Sequence, residues 1–326
     1  LTYCRQAGNR RKEANMLVNI SMVLAADHRL DDYIVYLHEA LAINRQLDSR
    51  RGETHVLLML SQNQSIKNPL QRIAHLKDAI AIYEDLGEEA TLTNPIGELS
   101  REYIRLGQYS HAHQLLTSLL TPKRALEDND VHYLTTCHLS LVAYLQGDST
   151  EALRLAKQAF AIHNVIRYDW RSFCFMCLGY AHLAKQEFHQ AQAAFVDLLK
   201  DLQQHGHTQV ERIPRTGLAE VAYQQGHYCQ ALTEVEQLLS YLEDDPDIDT
   251  SIDHMEQVID YFRLHWVCYQ VLKAMDDPRT ADVLTKSYAK LQQWADGIDD
   301  EPLRLSFLQN VVVNRMIIEE MHKLQN

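Results

Sequence analysis

Glycine and proline are scarce, at 11 and 7 residues in a chain of 326. That is too few to punctuate a β-sandwich or an α/β fold with its many turns. No apolar run approaches the roughly 20 residues a membrane-spanning helix needs; the longest, Phe173 to Ala184, contains His182. No charged-then-apolar signal segment opens the chain. Positive charge is in deficit, the formal net charge being −13. No stretch carries the Lys/Arg stripe that grips phosphates, which argues against direct nucleic-acid binding. The six cysteines, Cys4, Cys137, Cys174, Cys177, Cys229 and Cys268, show no secreted-framework spacing and suit reduced thiols in a cytoplasm. The sequence does not begin with Met, as expected of a fragment of something longer or of a processed chain.

What remains is a helix composition dominated by Leu, Ala, Gln and Glu. Hydrophobic residues make up 46% of the chain, enough for a continuous core and against disorder. The chain also repeats itself. A shift of 40 places Arg5, Gln6, Arg10, Arg11, Glu13, Leu17 and Ser21 on Arg45, Gln46, Arg50, Arg51, Glu53, Leu57 and Ser61. A shift of 39 places Leu37, Ala40, Ala42, Ile43 and Leu47 on Leu76, Ala79, Ala81, Ile82 and Leu86. A fixed period of this length marks stacked supersecondary units, here two helices each. Gly107, Gly147 and Gly226 each stand between two apolar periodicities with Ala five residues later, as in Gly107 and Ala112. The glycine ends the first helix, where a left-handed cap costs least, and the alanine lets the second helix pack closely. The close-packed positions of the first helices are Ser21, Ser61, Ser100, Ser140, Gly179, Ala219 and Tyr269, spaced by 40, 39, 40, 39, 40 and 50.

This pattern of small residue, Tyr or equivalent, Gly, Ala and large apolar residue resembles the tetratricopeptide repeat (TPR). Leu178-Gly179 and Ala191 with Phe195 match it best, and the resemblance covers nearly the whole chain. With its Arg-Arg-x-Glu preamble the long period is similar to the C-terminal TPR sensor regions of bacterial signal-transduction ATPases and transcriptional activators. The resemblance implies an all-α, right-handed α-α superhelix of about seven helix pairs over residues 1–326. It further implies a capping helix over 301–326, with an acidic insertion at 243–253. Repeat seven departs from the pattern: it lacks the glycine and has Tyr269 at the close-packed position. No phosphate-cradling Gly-x-x-x-x-Gly-Lys-Ser/Thr motif is present.

In such arrays the first helices line a concave groove. Carried over repeat by repeat, that rule gives Asn15 and Met22, His55 and Gln62, then Asn94, Arg101 and Arg105. Further along it gives Cys137 and Tyr144, then Phe173, Met176 and Tyr180, then Glu220 and Tyr223, and finally Arg263, Trp266 and Gln270. Aromatic and Met side chains are good anchors for a polypeptide segment, though each could equally pack against the next repeat. Arg101 and Arg105, one turn apart, could hold an acidic group or be paired within the chain. The Lys/Asn constellation by which chaperone-binding members hold a C-terminal carboxylate is missing.

The chain offers little for chemistry. His111 and His113 lie two apart and point away from each other on a helix, so they read as surface residues. His205 and His207 flank a turn without a neighbouring ligand. Cys174 and Cys177 have a metal-pair spacing but sit in an apolar helix and read as buried thiols. Asp245, Asp247, Asp249, Ser251, Asp253 and Glu256 fall on the places of a calcium loop, but Thr250 replaces the needed glycine, and a solvated loop is expected. Neither a metal nor any other cofactor is expected, and catalysis is not. The leading reading is a protein- or peptide-binding sensor acting on an effector domain outside this segment. The alternative is a small-molecule or peptide-pheromone receptor using the same groove.

Overall fold

Apolar residues at helical spacing with few breakers produce the helices of the described residues. The computed structural model describes residues 1–27, 29–62, 68–120, 129–166, 172–207, 210–244 and 257–325. Seventeen α-helices occur among them. They are α1 Thr2–Gln6, α2 Arg10–Ala26, α3 Leu30–Gln46, α4 Arg50–Ser61, α5 Pro69–Asp85, α6 Thr93–Arg105, α7 Tyr109–Leu119, α8 Asn129–Leu145 and α9 Ser149–Ile162. There follow α10 Phe173–Ala184, α11 Phe188–Gln204, α12 Arg212–Gln224, α13 Tyr228–Asp244, α14 Gln257–Ala274, α15 Thr280–Asp296, α16 Glu301–Gln309 and α17 Val312–Gln325. The first helices of the seven pairs are α2, α4, α6, α8, α10, α12 and α14. Each carries one close-packed position. Over 301–326, where one capping helix is expected, there are two, separated by a turn at Asn310 and Val311. The calcium-like pattern at 245–256 lies outside the described residues.

In the last five pairs the turn is the same whether or not glycine is there. Gly107, Gly147 and Gly226 have φ of 71°, 84° and 76°, and Gln186 and Asp276 adopt the same left-handed backbone at 58° and 52°. The carbonyl-satisfying bonds also match. Asp148 N–H donates to the Ala143 carbonyl at 2.9 Å, Glu187 N–H to His182 at 2.9 Å, and Asp277 N–H to Leu272 at 3.0 Å. With the preceding N–H groups, such as Gln186 to the Leu183 carbonyl at 2.9 Å and Asp276 to that of Lys273 at 3.2 Å, these paired hydrogen bonds at the helix C-terminus stabilise the turn enough to hold a non-glycine residue there. Repeat seven therefore keeps the geometry of the others without their glycine. Its Tyr269 is accommodated because the ring runs outward to the cap, where the hydroxyl donates to Glu320 Oε1 on α17 at 2.8 Å.

Two compact units result. The first comprises residues 1–102 with 297–300. Its core joins Leu17, Leu37, Val56, Leu57 and Leu60. The 40-residue shift in sequence is a shift of ion pairs in space. Arg5 on α1 donates to Glu13 at 2.9 Å as Arg45 on α3 does to Glu53 at 2.7 Å. Arg10 and Arg50 approach the same two carboxylates from within their own helices. Thus α1 plays toward α2 the part that the end of α3 plays toward α4. Asn68 caps α5 by accepting from Leu70 N–H at 2.9 Å and donates its amide to Asp299 at 2.5 Å.

The second unit comprises residues 103–296 and 301–326. Its core is built around Tyr133, Tyr180 and Phe195, all fully buried. Phe195 on α11 is seated against two glycines. A Cβ at Gly179 on α10 would stand 2.5 Å from its ring, and one at Gly217 on α12 would clash with the same ring. Small residues on two adjacent first helices thus make room for one large residue on the second helix between them. The unit is also closed on itself. Ser306 on α16 donates to the carbonyl of Leu106 at 2.7 Å, and the Asn310 amide reaches the carbonyl of Gly107 at 3.3 Å and Ser306 Oγ at 2.9 Å.

Candidate functional site

In the second unit the first helices align their side chains in one row. Tyr144 ends α8, Tyr180 lies mid-way along α10, Glu220 on α12 and Arg263 on α14. The rings of Tyr144 and Tyr180 stack at 5.5 Å with their planes 26° apart. The guanidinium carbon of Arg263 lies 4.4 Å from the Tyr180 ring centroid and 5.3 Å from that of Tyr144. Its Nε and Nη2 both donate to Glu220 Oε2, at 2.9 and 2.6 Å. Four consecutive repeats thus contribute to one cluster. Arg263 is buried, and a buried charge persists only when paired and hydrogen-bonded, as Glu220 and the two ring faces pair it here. Desolvation opposes its charge, but the Glu220 carboxylate and the two tyrosines outweigh it and hold the guanidinium firmly protonated.

Among the expected groove residues the structure separates core from surface. Phe173, Met176 and Tyr180 are buried, not exposed on an open face. Phe173 packs edge-on against His138 at 5.2 Å, and Tyr180 lies between Tyr144, Arg263 and Phe195, whose ring is 5.2 Å away. For Tyr180 the physical reason is that Arg263 of α14 lies over its ring, while Phe173 and Met176 are part of the apolar core of the second unit. Cys137 is buried as well. Half-buried along the same row are Tyr144, Glu220, Tyr223, Trp266 and Gln270. Tyr223 meets Tyr228 at 5.7 Å, and Trp266 meets Tyr269 at 5.4 Å. In the first unit Asn15, Met22, His55, Gln62 and Asn94 are exposed.

The two arginines expected to bind an acidic group are both engaged within the chain. Arg101 pairs with Glu98 one turn earlier, and Arg105 lies over the Trp294 ring at 5.9 Å. Sequence reasoning missed the clasp of Ser306 and Asn310 on the Gly107 turn, because nothing in a spacing pattern links residues 200 apart. It also missed Gly217, since a glycine inside a helix carries no turn signal.

Burial pushes the Cys174 thiol up to about 12 and that of Cys137 well above its ordinary value, so neither is a ready thiolate. His205 reaches the Asp201 carbonyl through Nδ1 at 2.6 Å, a contact within its own helix end. Among the described residues no group of three or more His, Cys, Asp or Glu could hold a metal ion. Among the same residues no helix is long and apolar enough to cross a membrane.

No family model matches this chain, and no curated protein sequence matches it. Solved structures do match. A tetratricopeptide repeat protein from Parabacteroides merdae ATCC 43184 aligns over 92% of this chain and 99% of its own, with 12% identity and a TM-score of 0.53. A Signal Transduction ATPase with Numerous Domains carrying a tetratricopeptide repeat sensor, from Pyrococcus horikoshii, aligns over 96% of this chain with 12% identity and a TM-score of 0.54. This chain spans 50% of that protein. A Rap protein complexed with competence and sporulation factor aligns over 96% of this chain and 98% of its own, with 12% identity and a TM-score of 0.52. At such identities the likeness establishes the fold: an all-α, TPR-like superhelical repeat architecture.

Proposed function

We propose that this chain is a binding module, taking a protein or peptide segment along the first helices of its repeats and passing the event to an effector domain. In this reading it is the regulatory part of a larger bacterial signalling or transcription-control protein in the cytoplasm, binding neither nucleic acid nor a cofactor. The observation that carries the reading is the row itself. Tyr144, Glu220, Tyr223 and Trp266, from three different first helices, stay half-buried on a chain that has aromatics to spare for its core. Half-buried aromatics are the usual anchors of polypeptide interfaces. The fold agrees, since one solved array of this shape is the sensor of a signal-transduction ATPase and another was solved with competence and sporulation factor.

The test is a comparison of variants. Tyr223→Ala and Trp266→Ala should weaken capture of the native partner by about 1–2 kcal/mol each while far-UV circular dichroism stays unchanged. Gln190→Ala, at an exposed position on α11, should do neither. Equal affinity of all three variants and the parent would remove the row as the binding surface.

A further inference from the structure

The cluster around Arg263 has two parts of different origin. Tyr144, Tyr180 and Glu220 come from α8, α10 and α12, and together they form a receptor with two aromatic faces and one carboxylate. The fourth member enters from α14, and it is a guanidinium. It touches both faces, at 4.4 and 5.3 Å, and gives two N–H groups to one oxygen of Glu220. The other oxygen, Glu220 Oε1, is met by Gln224 Nε2 at 3.4 Å. A planar, weakly hydrated guanidinium fits between stacked rings and a carboxylate better than a compact, strongly hydrated ammonium does. The occupant therefore reports what the receptor selects. Glu220 and Tyr144 are half-buried, so the edge of the receptor is reachable from solvent. The chain as a whole carries 44 acidic against 31 basic residues and so attracts basic segments.

We infer that Tyr144, Tyr180 and Glu220 form an arginine-recognition site, held in this structure by the protein's own Arg263, and that the partner is a basic polypeptide segment whose arginine takes Arg263's place. The inference rests on the binding-module reading and specifies its ligand. It also supplies a route for the signal. Arg263 links α14 to α8, α10 and α12, so its release removes one tie between the seventh repeat and the three before it. Binding is then read out as a change in how those repeats are held together.

Titration with a hexa-arginine and a hexa-lysine peptide at one fixed ionic strength tests this on four proteins: the parent, Arg263→Ala, Arg263→Lys and Arg263→Ala with Glu220→Gln. Arg263→Ala should bind hexa-arginine at least tenfold more tightly than the parent does, and at least tenfold more tightly than it binds hexa-lysine. Adding Glu220→Gln should abolish that gain. Arg263→Lys keeps a cation beside Glu220 and serves if the alanine variant does not fold. It should show the same preference with a smaller gain. In the parent, saturating hexa-arginine should speed amide hydrogen exchange along α14. Equal affinity of parent and variants, no preference for arginine over lysine, or a gain that survives Glu220→Gln each overturns the site. Unchanged exchange along α14 in the saturated parent overturns the displacement. If Tyr223→Ala abolishes capture of the native partner while these titrations show no arginine preference, the binding-module reading stands and this inference alone falls.

Discussion

The hydroxyl of Ser306 donates to the carbonyl of Leu106 at 2.7 Å, joining α16 to the end of α6 across 200 residues of chain. An array of stacked repeats is ordinarily stabilised only by neighbour-to-neighbour contacts, so its parts can open independently. This bond and its companions at Gly107 and Asn310 tie the last part of the second unit to the beginning of that same unit. Opening either end of that unit then loosens the other.

Gly107→Ala measures the clasp. The new Cβ would stand 2.9 Å from Asn310 Cβ and from the backbone oxygen of Ser306, whereas a Cβ at Gly147 meets nothing within 4 Å. Both positions have left-handed backbone, so both variants bear a similar conformational cost of about 1–2 kcal/mol. Only Gly107→Ala adds a steric term, of about 1–3 kcal/mol, which shows as the difference between the two urea midpoints. Equal midpoints would mean that the clasp yields without cost.

Gly179→Leu tests the seat of Phe195. With Cβ already 2.5 Å from the Phe195 ring, a leucine must displace the ring or separate α10 from α11, at a cost of about 1–3 kcal/mol or more. A drop in melting temperature is expected. An unchanged one would dislodge Gly179 as the close-packed position of repeat five.

Gln186→Gly acts in the opposite direction. Gln186 holds φ at 58°, where a side chain is strained and glycine is not. The side chain is exposed, so little packing is lost. The variant should be more stable by about 0.5–1 kcal/mol, the left-handed strain relieved less the extra freedom glycine has when unfolded. Thermal melts of parent and variant decide the sign.

His265 makes stability depend on pH. Its Nδ1–H donates to the Tyr261 carbonyl at 2.8 Å. Burial first, and then Lys290, lower its pKa to about 4, against the backbone bond, which acts to raise it. The unfolded chain, with a histidine near 6.5, takes up the proton first as pH falls. This stabilising contribution is complete above about pH 6.5 and is lost between about 6.5 and 4, amounting to about 3 kcal/mol. Replacing His265 with Gln should flatten the stability profile over that window relative to the parent. Parallel profiles would show that the ring does not titrate on unfolding.

Much of the fold was legible because it is written at short range. The period near 40, the glycines at 107, 147 and 226 and the small residues from Ser21 to Ala219 are all properties of neighbouring turns, and the helices appear where they point. The sequence repeat superimposed Arg5 and Glu13 on Arg45 and Glu53, but that each Arg pairs with its Glu was visible only in the structure. The alignment of first helices also followed from the period, which is why Tyr144, Tyr180, Glu220 and Arg263 all fall among the residues expected along the first-helix groove.

What the row does was decided only by how the helices come together. Whether Tyr180 faces a groove or a core depends on how near α14 approaches α8 and α10, a distance that small packing angles between successive repeats accumulate and no spacing encodes. The same holds for Arg105, which lies over Trp294, and for Ser306, which meets Leu106. Local sequence determined the repeating unit, because helix periodicity, caps and close-packed residues act within one helix pair. The partners of the most consequential side chains were settled by contacts between residues far apart in the chain, where only the assembled tertiary structure selects who meets whom.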